Sequence, residues 1–144
     1  MTMNKHKLTK QDIEQAKKNS DFPFFTRIFS SEPDSVKYFV LKKIGKLPRD
    51  FPFEIFLDLV EASNHNIRVL VVKNLGKSKN PSFIELLSHL ADRDSDSNVR
   101  RESISSIGRI GTQMAIPILL KFLKDKDSRV IVQAIRGLLP FRDN

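Results

Sequence analysis

Residues 99–108 read VRRESISSIG, with aliphatic residues at 99, 104 and 107, two arginines near the start and a glycine at the end. On a 100° wheel Val99, Ser103, Ile107 and Ile110 share one quadrant and Ile104 lies on its flank, which predicts an amphipathic helix. The pattern recurs as VKYFVLKKIG (36–45), IRVLVVKNLG (67–76) and VIVQAIRGLL (130–139). The starts Val36, Ile67, Val99 and Val130 are 31, 32 and 31 residues apart; the ninth position is aliphatic in every copy and the tenth is glycine in three. A fixed period of this length marks stacked units, none of which buries its apolar face alone.

A second apolar helix pattern lies between the copies, in FEIFLDLVEA (53–62), SFIELLSHLAD (82–92) and AIPILLKFLKD (115–125). Pro52 and Pro81 suit a first helical turn and Asn80 suits a cap. The links DRDSDSN (92–98) and DKDS (125–128) carry turn and N-cap chemistry. DFPF occurs at 21–24 and at 50–53, so DFPFFTRIFSS predicts the second helix of a worn first unit. LTKQDIEQAKKN (8–19) is then its polar partner, with Thr9 as a cap. The expected divisions of a single domain over 1–144 are a degenerate unit at 8–31, repeats at about 34–62, 65–92 and 96–125, and a half repeat at 127–144.

These residues resemble the HEAT repeat, in the short bacterial form also found in phycobilisome-lyase-like proteins. The matching features are the Val-Arg start, the small residue at Ser103 or Ala134, Ile107-Gly108, Ile116-Pro117 and the Asp-rich turn, over roughly 34–144. The resemblance implies an all-α, right-handed α-solenoid of stacked antiparallel helix pairs. It also implies that the second helices line the concave side, and that Lys37, Arg68 and Arg100 pair with turn aspartates. The HEAT-like DNA glycosylases use an aromatic-lined concave face; this chain has no Trp and one Tyr, Tyr38, so a base-stacking platform is not evident. The last copy has no second helix, which leaves Val130, Ala134, Ile135 and Leu138 short of partners. The expectation is a natural chain that continues past Asn144 or an end covered by another subunit; the alternative is that this helix simply docks on the preceding repeat.

Little in the chain suggests catalysis, and no cofactor or metal is expected. With no cysteine, thiolate sites and disulfides are excluded. His6 falls in the tail, His65 in a turn, and His89 aligns with Leu59 and Phe122, as a partly buried packing residue. Asp92, Asp94 and Asp96 alternate like a calcium loop but lack its glycine and closing glutamate, which leaves capping. No apolar run approaches the ~18 residues of a membrane span, and a cytoplasmic protein is the simplest reading.

Charge is the informative surface property: 25 Lys+Arg against 17 Asp+Glu gives +8. The third, seventh and eleventh positions of the copies form the outward line of the first helices. They are Tyr38, Lys42, Lys46; Val69, Lys73, Lys77; Arg101, Ser105, Arg109; and Val132, Arg136, Pro140. Seven of the twelve are basic and none acidic, which makes Lys42, Lys46, Lys73, Lys77, Arg101, Arg109 and Arg136 a candidate polyanion-binding ridge. The ordinary alternative is a solvated helix face. The second helices present Glu54, Asp58 and Glu61, then Ile84, Ser88 and Ala91, then Pro117, Lys121 and Lys124. Of these Glu54, Asp58, Glu61, Ser88, Lys121 and Lys124 are the candidate concave protein-binding face. The leading functional expectation is a non-catalytic scaffold that binds another protein, as the N-terminal part of a longer one. The alternative is a nucleic-acid backbone-binding or targeting module of a larger DNA- or RNA-acting enzyme, such as a modification methyltransferase.

Overall fold

The computed structural model describes residues 7–142, and every regular element among them is helical. The α-helices are α1 Lys10–Lys18, α2 Phe22–Ser31, α3 Asp34–Lys43, α4 His65–Gly76, α5 Ile84–Arg93, α6 Ser97–Ile110, α7 Ala115–Lys121 and α8 Ser128–Leu138. Short 3-10 segments occupy Phe53–Leu59, Pro81–Phe83, Phe122–Lys124 and Leu139–Phe141. The four recurring stretches become α3, α4, α6 and α8, which pack side by side as a first layer. The segment 53–59, α5, and α7 with 122–124 form the second layer, each packed on the first. The most intimate hairpin, α5 with α6, closes across the Asp-rich turn. The result is an all-α solenoid of stacked helix pairs.

Helix starts follow local chemistry. Thr9 and Asp12 form a reciprocal capping box on α1, with Asp12 N donating to Thr9 Oγ1 at 3.2 Å and Thr9 N to Asp12 Oδ2 at 2.8 Å. Asn64, Asp96 and Asp127 cap α4, α6 and α8, each accepting the amide two residues on. Such a cap contributes about 1 kcal/mol.

Residues 53–62 depart from the expected α-helix. Phe53, Phe56 and Leu59 recur every third residue, which three residues per turn aligns on one face. That face meets an aromatic cluster in which Phe56 lies 5.6 Å from both Phe29 and Phe51. The predicted helix at 115–125 likewise tightens to 3-10 geometry from Phe122. These changes of pitch void the alignment that buried His89, which is exposed. His6 lies outside the described residues.

The first layer is held at short range. Val99, Ser103, Ile104 and Ile107 are fully buried. A Cβ on Gly108 would lie 2.9 Å from the Gly137 Cα, and one on Gly76 would lie 2.6 Å from Ser106 Oγ. Glycine at the tenth position of one copy thus receives the small eighth-position residue of the next. At the last helix Val130 and Ala134 are fully buried and Leu138 is half-buried. The expected shortfall of packing holds for Ile135 and otherwise falls on Val132 and Leu139, all three being 44–49% exposed.

Candidate functional site

The twelve outward positions of the first layer sort into three rows that cross the helices. In the first row Tyr38, Val69 and Arg101 are half-buried and Val132 is exposed. The second row holds Lys42, Lys73 and Arg136, all exposed, with half-buried Ser105 between them. In the third, Lys46 and Pro140 are exposed while Lys77 and Arg109 are half-buried.

The third row does structural work. Lys77 Nζ donates to the Gly45 carbonyl at 2.6 Å. Arg109 donates to the Lys73 carbonyl at 3.4 Å and pairs with Glu102 at 3.1 Å. Two cations outside the expected rows join this edge. Lys17 donates to the carbonyls of Ile44 (2.5 Å) and Lys46 (2.9 Å) while pairing with Glu14, and Lys79 donates to the Arg109 carbonyl at 2.8 Å. Cations are favoured here because the carbonyl ends of helices carry partial negative charge. Their crowding has a cost: desolvation first, then Lys73, Lys17 and Arg109, hold the Lys77 ammonium down to about 8. Lys17 and Lys79 escape sequence reasoning because neither occupies a ridge position of the 31-residue register.

In the second row Lys73 and Arg136 have no hydrogen-bond or ion-pair partner among the described residues, and Lys42 sits over the Tyr38 ring with Nζ 5.5 Å from its centroid. Arg101 Nε, in the first row, is buried without a hydrogen-bond partner, while its Nη2 donates to Asn98 at 3.4 Å.

Of the three second-position cations expected to pair with turn aspartates, Arg68 does so, Arg100 reaches only a backbone carbonyl, and Lys37 has no aspartate partner among the described residues. Arg68 donates through Nε (3.0 Å) and Nη2 (2.9 Å) to the two oxygens of Asp94, and Nη1 reaches the Ala62 carbonyl at 2.8 Å. The Asp94 bonds hold the guanidinium above its ordinary range, against the desolvation of a pair only 12% and 6% exposed. Arg100 donates to the Asp94 carbonyl at 2.9 Å, and Asp94 also accepts the Asp96 amide. Asp92 lies 3.6 Å from Lys121, and Asp96 3.1 Å from His65 Nδ1. The three aspartates therefore tie one unit to the next. No group of three or more metal-ligating side chains stands together among the described residues.

In the second layer Glu54, Asp58, Glu61, Lys121 and Lys124 are exposed and Ser88 is half-buried. Ile84 and Ala91, expected to face outward, are buried, because α5 turns that side onto the first layer. Ser88 and Lys121 share a groove of about 390 Å³ with Met114 and Ile118; Glu61 lines a separate one with Arg68 and Arg93. Glu54, Asp58 and Lys124 line neither groove.

Helix pairs stacked through capped polar turns define the α-solenoid class of interaction modules. The family model for HEAT repeats matches residues 23–107 and 85–143, and the chain belongs to that family. No curated protein matches the chain. Among the described residues no helix is long and apolar enough to cross a membrane.

Proposed function

We propose that this protein is a non-catalytic binding module that holds a partner protein along the surface of its first helix layer. The observation that carries this reading is the packing asymmetry of the two layers. Helices α4, α6 and α8 approach through Gly76 on Ser106 and Gly108 on Gly137, whereas the second-layer elements pack mainly on the first layer rather than on each other. The close approach of these helices sets the three outward rows side by side as one continuous surface along which a partner protein can lie.

Photo-crosslinking from the living cell tests the assignment, with the reactive residue placed at Ser105 or at Asp58. A protein adduct from position 105 and none from 58 is the expected result. An adduct from 58 alone, no adduct at either position, or only nucleic acid at 105 overturns it. The nucleic-acid reading draws on the +8 charge. With four to six phosphate contacts it requires log affinity to fall with log salt at a slope of roughly −4 to −5.

A further inference from the structure

The rows differ in chemistry, and the difference specifies a ligand. The first row is apolar on three of its four helices, through Tyr38, Val69 and Val132. One turn along each of those helices stand Lys42, Lys73 and Arg136. Side chains four apart on a helix are neighbours at about 5–6 Å, and packed helices lie about 8–10 Å apart. An apolar strip therefore crosses the solenoid with a basic strip beside it, both repeating at the helix spacing. We infer that the partner presents an acidic, amphipathic segment that lies across these helices, its apolar side chains on the first row and its carboxylates on the second. This rests on the binding-module reading above and adds the chemistry of what is bound.

The spacing suits an extended chain. In a polyproline-II-like extended segment, with three residues per turn and about 3.1 Å per residue, every third side chain returns to the same side and meets the next helix. At α6 the order inverts: Arg101 stands in the apolar row and Ser105 in the basic one. The segment is thus expected to place a carboxylate where it crosses α6 on the first row, meeting the Arg101 guanidinium.

Two competing readings explain less. If the cations served only the fold, all would be engaged as Lys77 and Arg109 are, yet Lys73 and Arg136 have no partner among the described residues. A nucleic-acid backbone uses the cations but leaves the apolar strip idle, and Tyr38 is the one aromatic ring among the twelve positions on which a base could stack. Glu14 and Glu102 are already paired with Lys17 and Arg109 and do not neutralise Lys73 or Arg136.

Fluorescence anisotropy on the full chain decides the matter with three labelled probes: a 15-residue peptide of glutamates with leucine at its third, sixth and twelfth positions, so that a glutamate falls on α6, the same peptide with serine for leucine, and a 15-base-pair DNA duplex. The leucine peptide is expected to bind, the serine peptide at least tenfold more weakly, and the duplex no better than the serine peptide. Lys42→Glu with Lys73→Glu should weaken the leucine peptide at least tenfold with the melting temperature unchanged, and Val69→Ser about fivefold. Val132→Ser, at an exposed position of the same row, gives the same test should Val69→Ser unfold the chain. Equal binding of the two peptides, tighter binding of the duplex, or no binding of the leucine peptide overturns the inference. A protein adduct at position 105 combined with no peptide binding leaves the binding module standing and removes only this segment chemistry.

Discussion

Lys77 Nζ donates a 2.6 Å hydrogen bond to the Gly45 carbonyl, so a cation at the end of α4 closes the carbonyl end of α3. The two residues are 32 apart, one repeat, and the contact converts sequence periodicity into a physical tie between units. It also divides the basic surface, because a lysine engaged in this way is less available to a ligand than Lys73 one turn earlier.

The Lys77 environment makes a pH prediction. Its folded value of about 8 lies below the ordinary 10.5, so the charged form is disfavoured by folding. Below about pH 8 the residue is protonated in both states and that cost is full. Between about 8 and 10.5 the unfolded chain binds more protons, so stability rises with pH. Lys77→Met should flatten this share of the rise, read as the difference in melting temperature between pH 8 and pH 10 for the two proteins.

Gly108→Ala tests the backbone contact in the first layer. Alanine in a helix ordinarily gains about 1 kcal/mol over glycine. Here its Cβ meets the Gly137 Cα at 2.9 Å, backbone that cannot swing aside. The net expectation is a loss of about 1–2 kcal/mol, or roughly 3–6 °C in melting temperature. An unchanged or raised Tm contradicts the close approach.

Arg68→Ala should cost about 3 kcal/mol in urea unfolding, because it strands the buried Asp94 carboxylate. Arg68→Lys should recover only part of this, since a lysine cannot supply the two-pronged donor set. A double-mutant cycle with Asp94→Ala should show coupling of at least 1 kcal/mol, roughly; strict additivity would refute the tie.

Ser106 is fully buried and donates to the Val72 carbonyl in α4 at 2.9 Å. Ser106→Ala should lose about 1 kcal/mol, as for a single neutral hydrogen bond. Ser106→Val should lose substantially more, because a larger side chain meets α4 at Gly76. Equilibrium denaturation of the pair separates the hydrogen bond from the packing.

Much of the architecture was legible from one stretch. The 31-residue period, the wheel of residues 99–108 and the Asp-rich turns anticipated α4, α6 and α8 and the caps of α6 and α8, though not Asn64 at the start of α4. The aromatic segment 53–59 was not anticipated, since its three-residue spacing satisfies a 3-10 helix only once Phe29 and Phe51 are placed against it. His89 was misjudged for the same reason: aligning second helices assumes equal pitch, and two of the three tighten. The outward rows were legible as positions, but not which cations are spent on carbonyls of the neighbouring unit.

The amino-acid sequence determined the repeat, because burying an aliphatic face every 31 residues demands stacking whatever the details. Tertiary structure alone decided which layer lies closer and which lysines remain unpartnered. Those outcomes depend on the approach of Gly108 to Gly137 and on carbonyls such as that of Gly45, distances between units that no periodicity within a unit encodes.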